Sequence, residues 1–94
     1  MWKFDQPENC ASIISKSILR GERSILLVIH DPEDDGWMFL DGDEFEANGA
    51  AVVGLGSVVE LDPSVVKVAE IPPGWQAFRS DGNSEWVIEK SAEE

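Results

Sequence analysis

Hydrophobic positions along the chain come in short runs separated by polar, proline- or glycine-containing segments, the pattern of strands joined by turns. The clearest run is 24–30, where Ile25, Leu27 and Ile29 fall on one side of an extended chain and Leu26 and Val28 on the other. Both sides are apolar, which predicts an interior strand with a helix against one of them. The loop Asp31-Pro32-Glu33-Asp34-Asp35 separates it from 36–40, a second strand carrying Trp37, Met38, Phe39 and Leu40, with Asp41-Gly42 as the exit turn. These two are expected to pair as a hairpin. Residues 10–14 form an earlier strand candidate. Ser15 is placed to cap a helical turn over 16–20, and Gly21 stands where a left-handed terminator belongs.

Residues 50–55 are small and β-branched and fit either a further strand or the approach to a helix. Ser57 offers a cap for a turn through Val58 to Leu61, and Asp62-Pro63 is a second start signal, with Asp at the cap and Pro at the first helical position. Val65, Val66 and Ala69 would face inward, on a helix so rich in Val that tertiary packing must hold it. Ile71-Pro72-Pro73-Gly74 stops it. Segments 75–79 and 85–89 flank a turn-forming stretch and read as a terminal hairpin, in which Trp86 and Ile88 alternate against Glu85, Val87 and Glu89. The expected architecture is α+β: an antiparallel sheet of about five strands with one or two short helices. Residues 1–9 read as an arm pinned by Trp2 and Phe4, 10–90 as one domain, and 91–94 as an acidic tail.

Composition narrows the function classes. The chain has 94 residues, with seven Lys and Arg against 19 Asp and Glu, a net charge of -12. That length bounds it to one domain, and 43% hydrophobic residues with four Trp give enough apolar mass for collapse despite the charge. So negative a surface repels polyanions, so nucleic acid and anionic membranes are not expected partners. Nowhere do apolar residues run to the ~18 needed for a membrane span, and the first residues lack the apolar stretch of a signal peptide. The single Cys10 removes any intramolecular disulfide, and a cytoplasmic protein is expected.

The charge is unevenly placed. Residues 24–66 hold ten acids and no Lys or Arg, and eight of those acids lie between Asp31 and Glu46. Asp31, Glu33, Asp34 and Asp35 on the hairpin loop, converging with Asp41, Asp43, Glu44 and Glu46 on the next, would make a negative patch. Such a patch steers and holds a basic protein partner, with Trp37, partly open beside the loop, as the apolar anchor. The plainer account is a solvated loop that keeps the protein soluble. Against a calcium loop, Asp31, Glu33, Asp35 and Gly36 fit an EF-hand, but Gly42 stands where the bidentate Glu belongs and strands flank it. What remains is weak surface binding of Ca²⁺ through Asp31, Asp35, Asp41 and Asp43.

His30 is the only histidine, so His-pair metal motifs are absent and it reads as a structural residue at the sheet rim. A thiol-imidazole couple with Cys10 requires that the first two strands pair. Gly54-Leu55-Gly56 lacks the third glycine and the βαβ frame of a phosphate loop. No catalytic residue, metal or cofactor is expected, and the chain is not read as an enzyme. Phe39, Trp75, Phe78 and Trp86 read as core, and Arg79 as the partner of a carboxylate within the domain.

Four segments in order carry a resemblance: Asp35-Gly36-Trp37-Met38-Phe39-Leu40-Asp41-Gly42, then Leu61-Asp62-Pro63-Ser64, then Ile71-Pro72-Pro73-Gly74-Trp75-Gln76-Ala77-Phe78-Arg79, then Glu85-Trp86. Together they resemble a bacterial family of small domains of unknown function, grouped with the immunity proteins of polymorphic toxin systems as their thirty-third numbered class. The resemblance spans roughly residues 10–89. It implies an immunity role inferred from gene neighbourhood and supplies no catalytic residues. The family often has a basic residue after the second strand and a cysteine in the turn after the Trp strand. Here His30-Asp31 and Asp41 stand, which makes this chain more acidic at that rim. Residues and resemblance together suggest a protein that blocks a basic partner. The competing expectation is a housekeeping structural or interaction domain, a homodimer through the exposed edge of the last hairpin.

Overall fold

The two most apolar segments pair antiparallel as the expected hairpin: β2 (Leu27–His30) lies against β3 (Trp37–Leu40), with Val28 opposite Phe39 and His30 opposite Trp37. The structure, a computed structural model, describes residues 2–43 and 47–90. β1 (Ala11–Ser15) runs parallel to β3, Ile14 beside Phe39, and carries β4 (Ala50–Gly54) antiparallel on its outer side. β5 (Trp75–Phe78) extends the other side of β2, and β6 (Val87–Lys90) completes the terminal hairpin, giving the order β4-β1-β3-β2-β5-β6.

The α+β class is as expected, but the sheet has six strands and is mixed, not antiparallel with about five. The added strand is β4, whose small residues left strand and helix undecided. The parallel pair follows from the connection between β1 and β2. A helical turn, α1 (Lys16–Leu19), and the segment 20–26 separate them, so no tight turn forces them together and the β2/β3 hairpin inserts β3 between them. Gly21 ends the helical turn at φ 79, the left-handed conformation expected there.

α2 (Leu55–Leu61) starts directly off β4 with Gly54 at its cap, three residues ahead of the Ser57 expected to cap it. Asp62 does cap the next stretch: its Oδ1 accepts the Ser64 amide at 3.1 Å and the Ser64 hydroxyl at 2.6 Å, with Pro63 opening the helix. That helix, Pro63–Val68, is 3₁₀, because a Val-rich sequence gains little from α geometry. At three residues per turn, Val65 and Val68 become the buried pair, and Val66 is only half-buried.

The core lies on one side of the sheet. Ile14, Phe39, Val28 and Ala77 form a row in register across four strands, all fully buried. Leu55 and Val58 of α2, Val65 and Val68 of the 3₁₀ helix, Ile18, Ile25, Ile71 and the arm residue Phe4 complete the cluster. The opposite face carries Val52, Ile13, Met38 and Ile29 in one row and Leu40, Leu27, Phe78 and Val87 in the next. Leu40 is buried, but Val52 is 68% exposed, Val87 50% and Phe78 37%. No helix of the described residues is long and apolar enough to cross a membrane.

A one-sided core has a measurable signature. Phe39→Ala opens a cavity in the central row and should cost about 3–5 kcal/mol in urea unfolding, whereas Val52→Thr on the opposite face should stay within about 0.5 kcal/mol.

Candidate functional site

The acids that follow one another in sequence do not converge in space. Asp31, Glu33, Asp34 and Asp35 lie on the turn joining β2 to β3, and Asp41 and Asp43 lie past the far end of β3. Residues 36–40 of extended chain, about 17 Å at 3.4 Å per residue, separate the groups. The single acidic face is therefore two separate sites, and no calcium site can draw on Asp31, Asp35, Asp41 and Asp43 together. Among the described residues no group of three or more His, Cys, Asp or Glu is placed to hold a metal ion. Glu44 and Glu46 lie outside the described residues.

At the hairpin turn, Asp31 Oδ1 accepts the Glu33 amide at 2.7 Å and Asp34 Oδ1 accepts the Gly36 amide at 2.9 Å, so both side chains fold the loop on itself. The Asp31 amide donates to the Gly36 carbonyl at 2.8 Å, which carries the β2/β3 ladder one step past the strands. Asp35 sits at φ 61, a left-handed conformation that Asp tolerates. Its carboxylate faces His30 Nε2 at 2.7 Å and accepts from Gln6 Nε2 at 2.9 Å. His30 Nδ1 lies 2.8 Å from the Ile71 carbonyl. Asp31, Glu33 and Asp34 have no cation within ion-pair distance among the described residues.

Trp37 is not the open anchor expected from its place after the acidic loop. It is 2% exposed, stacked on His30 with centroids 4.0 Å apart and edge-on to Phe4 at 5.0 Å. Its indole N–H donates to Gln6 Oε1 at 2.9 Å. The arm explains the difference: Trp2 donates to the Gln6 carbonyl at 2.6 Å, Phe4 enters the core, and Gln6 ties arm, loop and Trp37 together. Nothing about Gln6 in the sequence marks it for this role.

At the other end of β3, the Ser17 hydroxyl donates to Asp41 Oδ2 at 2.6 Å and the Asp43 amide to Asp41 Oδ1 at 3.0 Å. The Ser17 bond holds the Asp41 carboxyl below the usual carboxylate range, against the opposing effect of burial, with the Asp43 amide and the charge of Arg23 adding to the shift. Arg23 pairs with Asp43 at 2.7 Å, and that bond raises the guanidinium further. A cation from outside the cation-free stretch thus answers the acids at this end.

β3 lies between β1 and β2, so Cys10 and His30 form no couple. Arg79, 6% exposed, finds its carboxylate in Asp62, with Nη2 to Oδ2 at 2.8 Å. It also donates to the Ile25 carbonyl at 2.9 Å and Ser64 Oγ at 3.0 Å, and packs 4.1 Å from the Trp86 ring centroid. A cleft of about 570 Å³ borders Arg79, Lys67, Trp86 and Ile88, but the guanidinium on its wall is committed to internal partners. The other feature missed from sequence is the second apolar sheet face, on which Ile13, Ile29 and Met38 are half-buried and Val52, Phe78 and Val87 are exposed. Its signal was present in the two apolar sides of 24–30.

Two consequences can be measured. Asp62→Ala removes a helix cap and leaves Arg79 buried without its carboxylate, and should cost about 3–5 kcal/mol in chemical unfolding, most of it recovered when Arg79→Met is added. Asp41, depressed in the folded state, contributes stability that is present above its unfolded value and lost as pH falls through the folded one. Asp41→Asn should therefore flatten the loss of stability below about pH 4 in an acid titration followed by circular dichroism.

Comparison with family models, with curated proteins and with solved structures gives no match to this chain.

Proposed function

We propose that the chain is a small cytoplasmic binding protein that takes up a basic protein partner, as its resemblance to immunity proteins implies, and that the loop 31–35 attracts it. One observation carries the reading. Asp31, Glu33 and Asp34 stand on the turn between the two central strands with no paired cation among the described residues, while the acids at the far end are answered by Ser17 and Arg23. The loop is preorganised by its two Asx turns and by the Asp35–His30 bond, so little ordering entropy is lost when a partner docks. Unpaired rim acids act mainly on the rate of encounter and on partner choice. A protein that binds polyanions is attracted to such a surface for the same reason, and a nucleic-acid-directed toxin is the partner of matching chemistry. The reading assigns the chain no catalytic step and no cofactor.

A second reading, a housekeeping homodimer without a toxin partner, is favoured by the edge strand β6, all four residues of which are exposed, with Val87 at 50% and Ile88 at 47%.

Affinity capture from the native host with low- and high-salt washes separates the two. The first reading expects a basic protein retained at low salt and released at high salt. With that protein purified, Asp31→Asn/Glu33→Gln/Asp34→Asn, which keeps the turn acceptors, should slow association at least about tenfold and flatten its salt dependence. Capture of no basic protein, or unchanged association by the triple variant, would falsify it.

A further inference from the structure

We infer that the sheet face left uncovered by the described helices is where the partner seats, and that it takes a segment apolar at its centre and basic at its flanks. The inference rests on the reading of the chain as a binder of a basic protein and supplies the contact that Trp37, being buried, cannot. Val52, Ile13, Met38 and Ile29 stand side by side across four strands, with Leu27, Phe78 and Val87 in the neighbouring row. A solvated face of such a sheet is ordinarily polar at these positions. Eight apolar positions, four strands in each of two rows at about 4.8 Å by 6.8 Å, make a contiguous surface of roughly 260 Å² rather than the scattered single residues that are ordinary on a surface.

Charge selects the occupant. The two rows contain no Lys or Arg and one acid, Glu89, which accepts from Gln76 Nε2 at 2.9 Å. At the end of the two central strands the face runs into the acidic loop: Asp31 follows Ile29 by two residues on the same side of β2, and its amide still pairs with Gly36. Apolar floor and acidic lip are one surface. A second copy docked face to face would bring two chains of net charge -12 together. It would also cover only about a third of the ~800 Å² per partner of a standard interface. A basic partner meets neither obstacle, because it extends over the loop and gains from it. The division of labour is the usual one, in which desolvated apolar contacts set residence time and rim charges set approach.

The test compares two synthetic amphipathic peptides, one of Leu and Lys and one of Leu and Glu, by titration calorimetry and by NMR of Ile and Met methyl groups. Three proteins are used: the wild type, the loop variant above, and Val52→Thr/Phe78→Ser/Val87→Thr, whose positions are exposed and whose fold is checked by urea unfolding. The wild type should bind the Leu/Lys peptide with shifts at Ile13, Ile29 and Met38. The face variant should bind at least about tenfold more weakly, with the deficit persisting at high salt. Binding lost in the loop variant but untouched in the face variant would overturn the seat while leaving the proposed function standing. If neither variant changes binding, both fail. Equal affinity for the Leu/Glu peptide overturns the charge selection, and a sedimentation-equilibrium dimer that protects these methyl groups overturns the basic partner in favour of a second copy.

Discussion

The helical layer of this chain covers one face of its sheet, and most of the structure follows from that constraint. Two short α-helices and two 3₁₀ segments among the described residues cannot sheathe both sides of six strands, and the packed helices are committed to the row Ile14, Phe39, Val28 and Ala77. The row is continuous because β3 inserts beside β1, which places Phe39 and Ile14, the two largest fully buried side chains, next to each other. Burial is concentrated rather than shared, as suits a chain whose length limits how much apolar surface it can remove from water. The arm closes the remaining gap: Phe4 enters the cluster, and Trp2 and Gln6 fasten the segment over Trp37.

Formal charge and available charge are different quantities here. Asp35, Asp41, Asp43 and Asp62 are structural acids, joined to His30, Ser17, Arg23 and Arg79 at the ends of strands and helices. Their partners come from elsewhere in sequence, and each bond fixes a chain reversal. What is left unpaired among the described acids of the hairpin is the triplet Asp31, Glu33 and Asp34, whose side chains accept only local amides where they accept at all. A charge of -12 becomes informative once these groups are told apart.

Local structure was largely legible in the sequence because it rests on local physics. The β2/β3 hairpin, the stop at Gly21, the Asp62-Pro63 cap and the terminal hairpin all follow from residues adjacent to them. What could not be read was pairing across the sheet. Alternation shows that 11–15 is a strand but not that its neighbour is β3, and without that pairing neither the mixed sheet nor the separation of Cys10 from His30 can be deduced. The expected acidic face failed for a related reason. Residues close in sequence are carried apart by extended chain, and Asp35 and Asp41 stand at opposite ends of one strand. Trp37 was misjudged because its cover arrives from Gln6, a residue with no distinguishing pattern around it.

The two apolar sides of the central strands, which suggested burial on both faces, contain the remaining argument. One side is buried by the chain itself, and the other is apolar without cover from its own helices. An exposed apolar face ordinarily invites self-association, and strong like charge opposes it, since every copy carries the same repulsive field. The field discriminates by sign: it raises the barrier between two copies and lowers it for a cationic protein approaching the same surface. On the proposed reading, acidity and the open face are two parts of one device, in which the charge keeps an adhesive surface unoccupied until an oppositely charged partner reaches it.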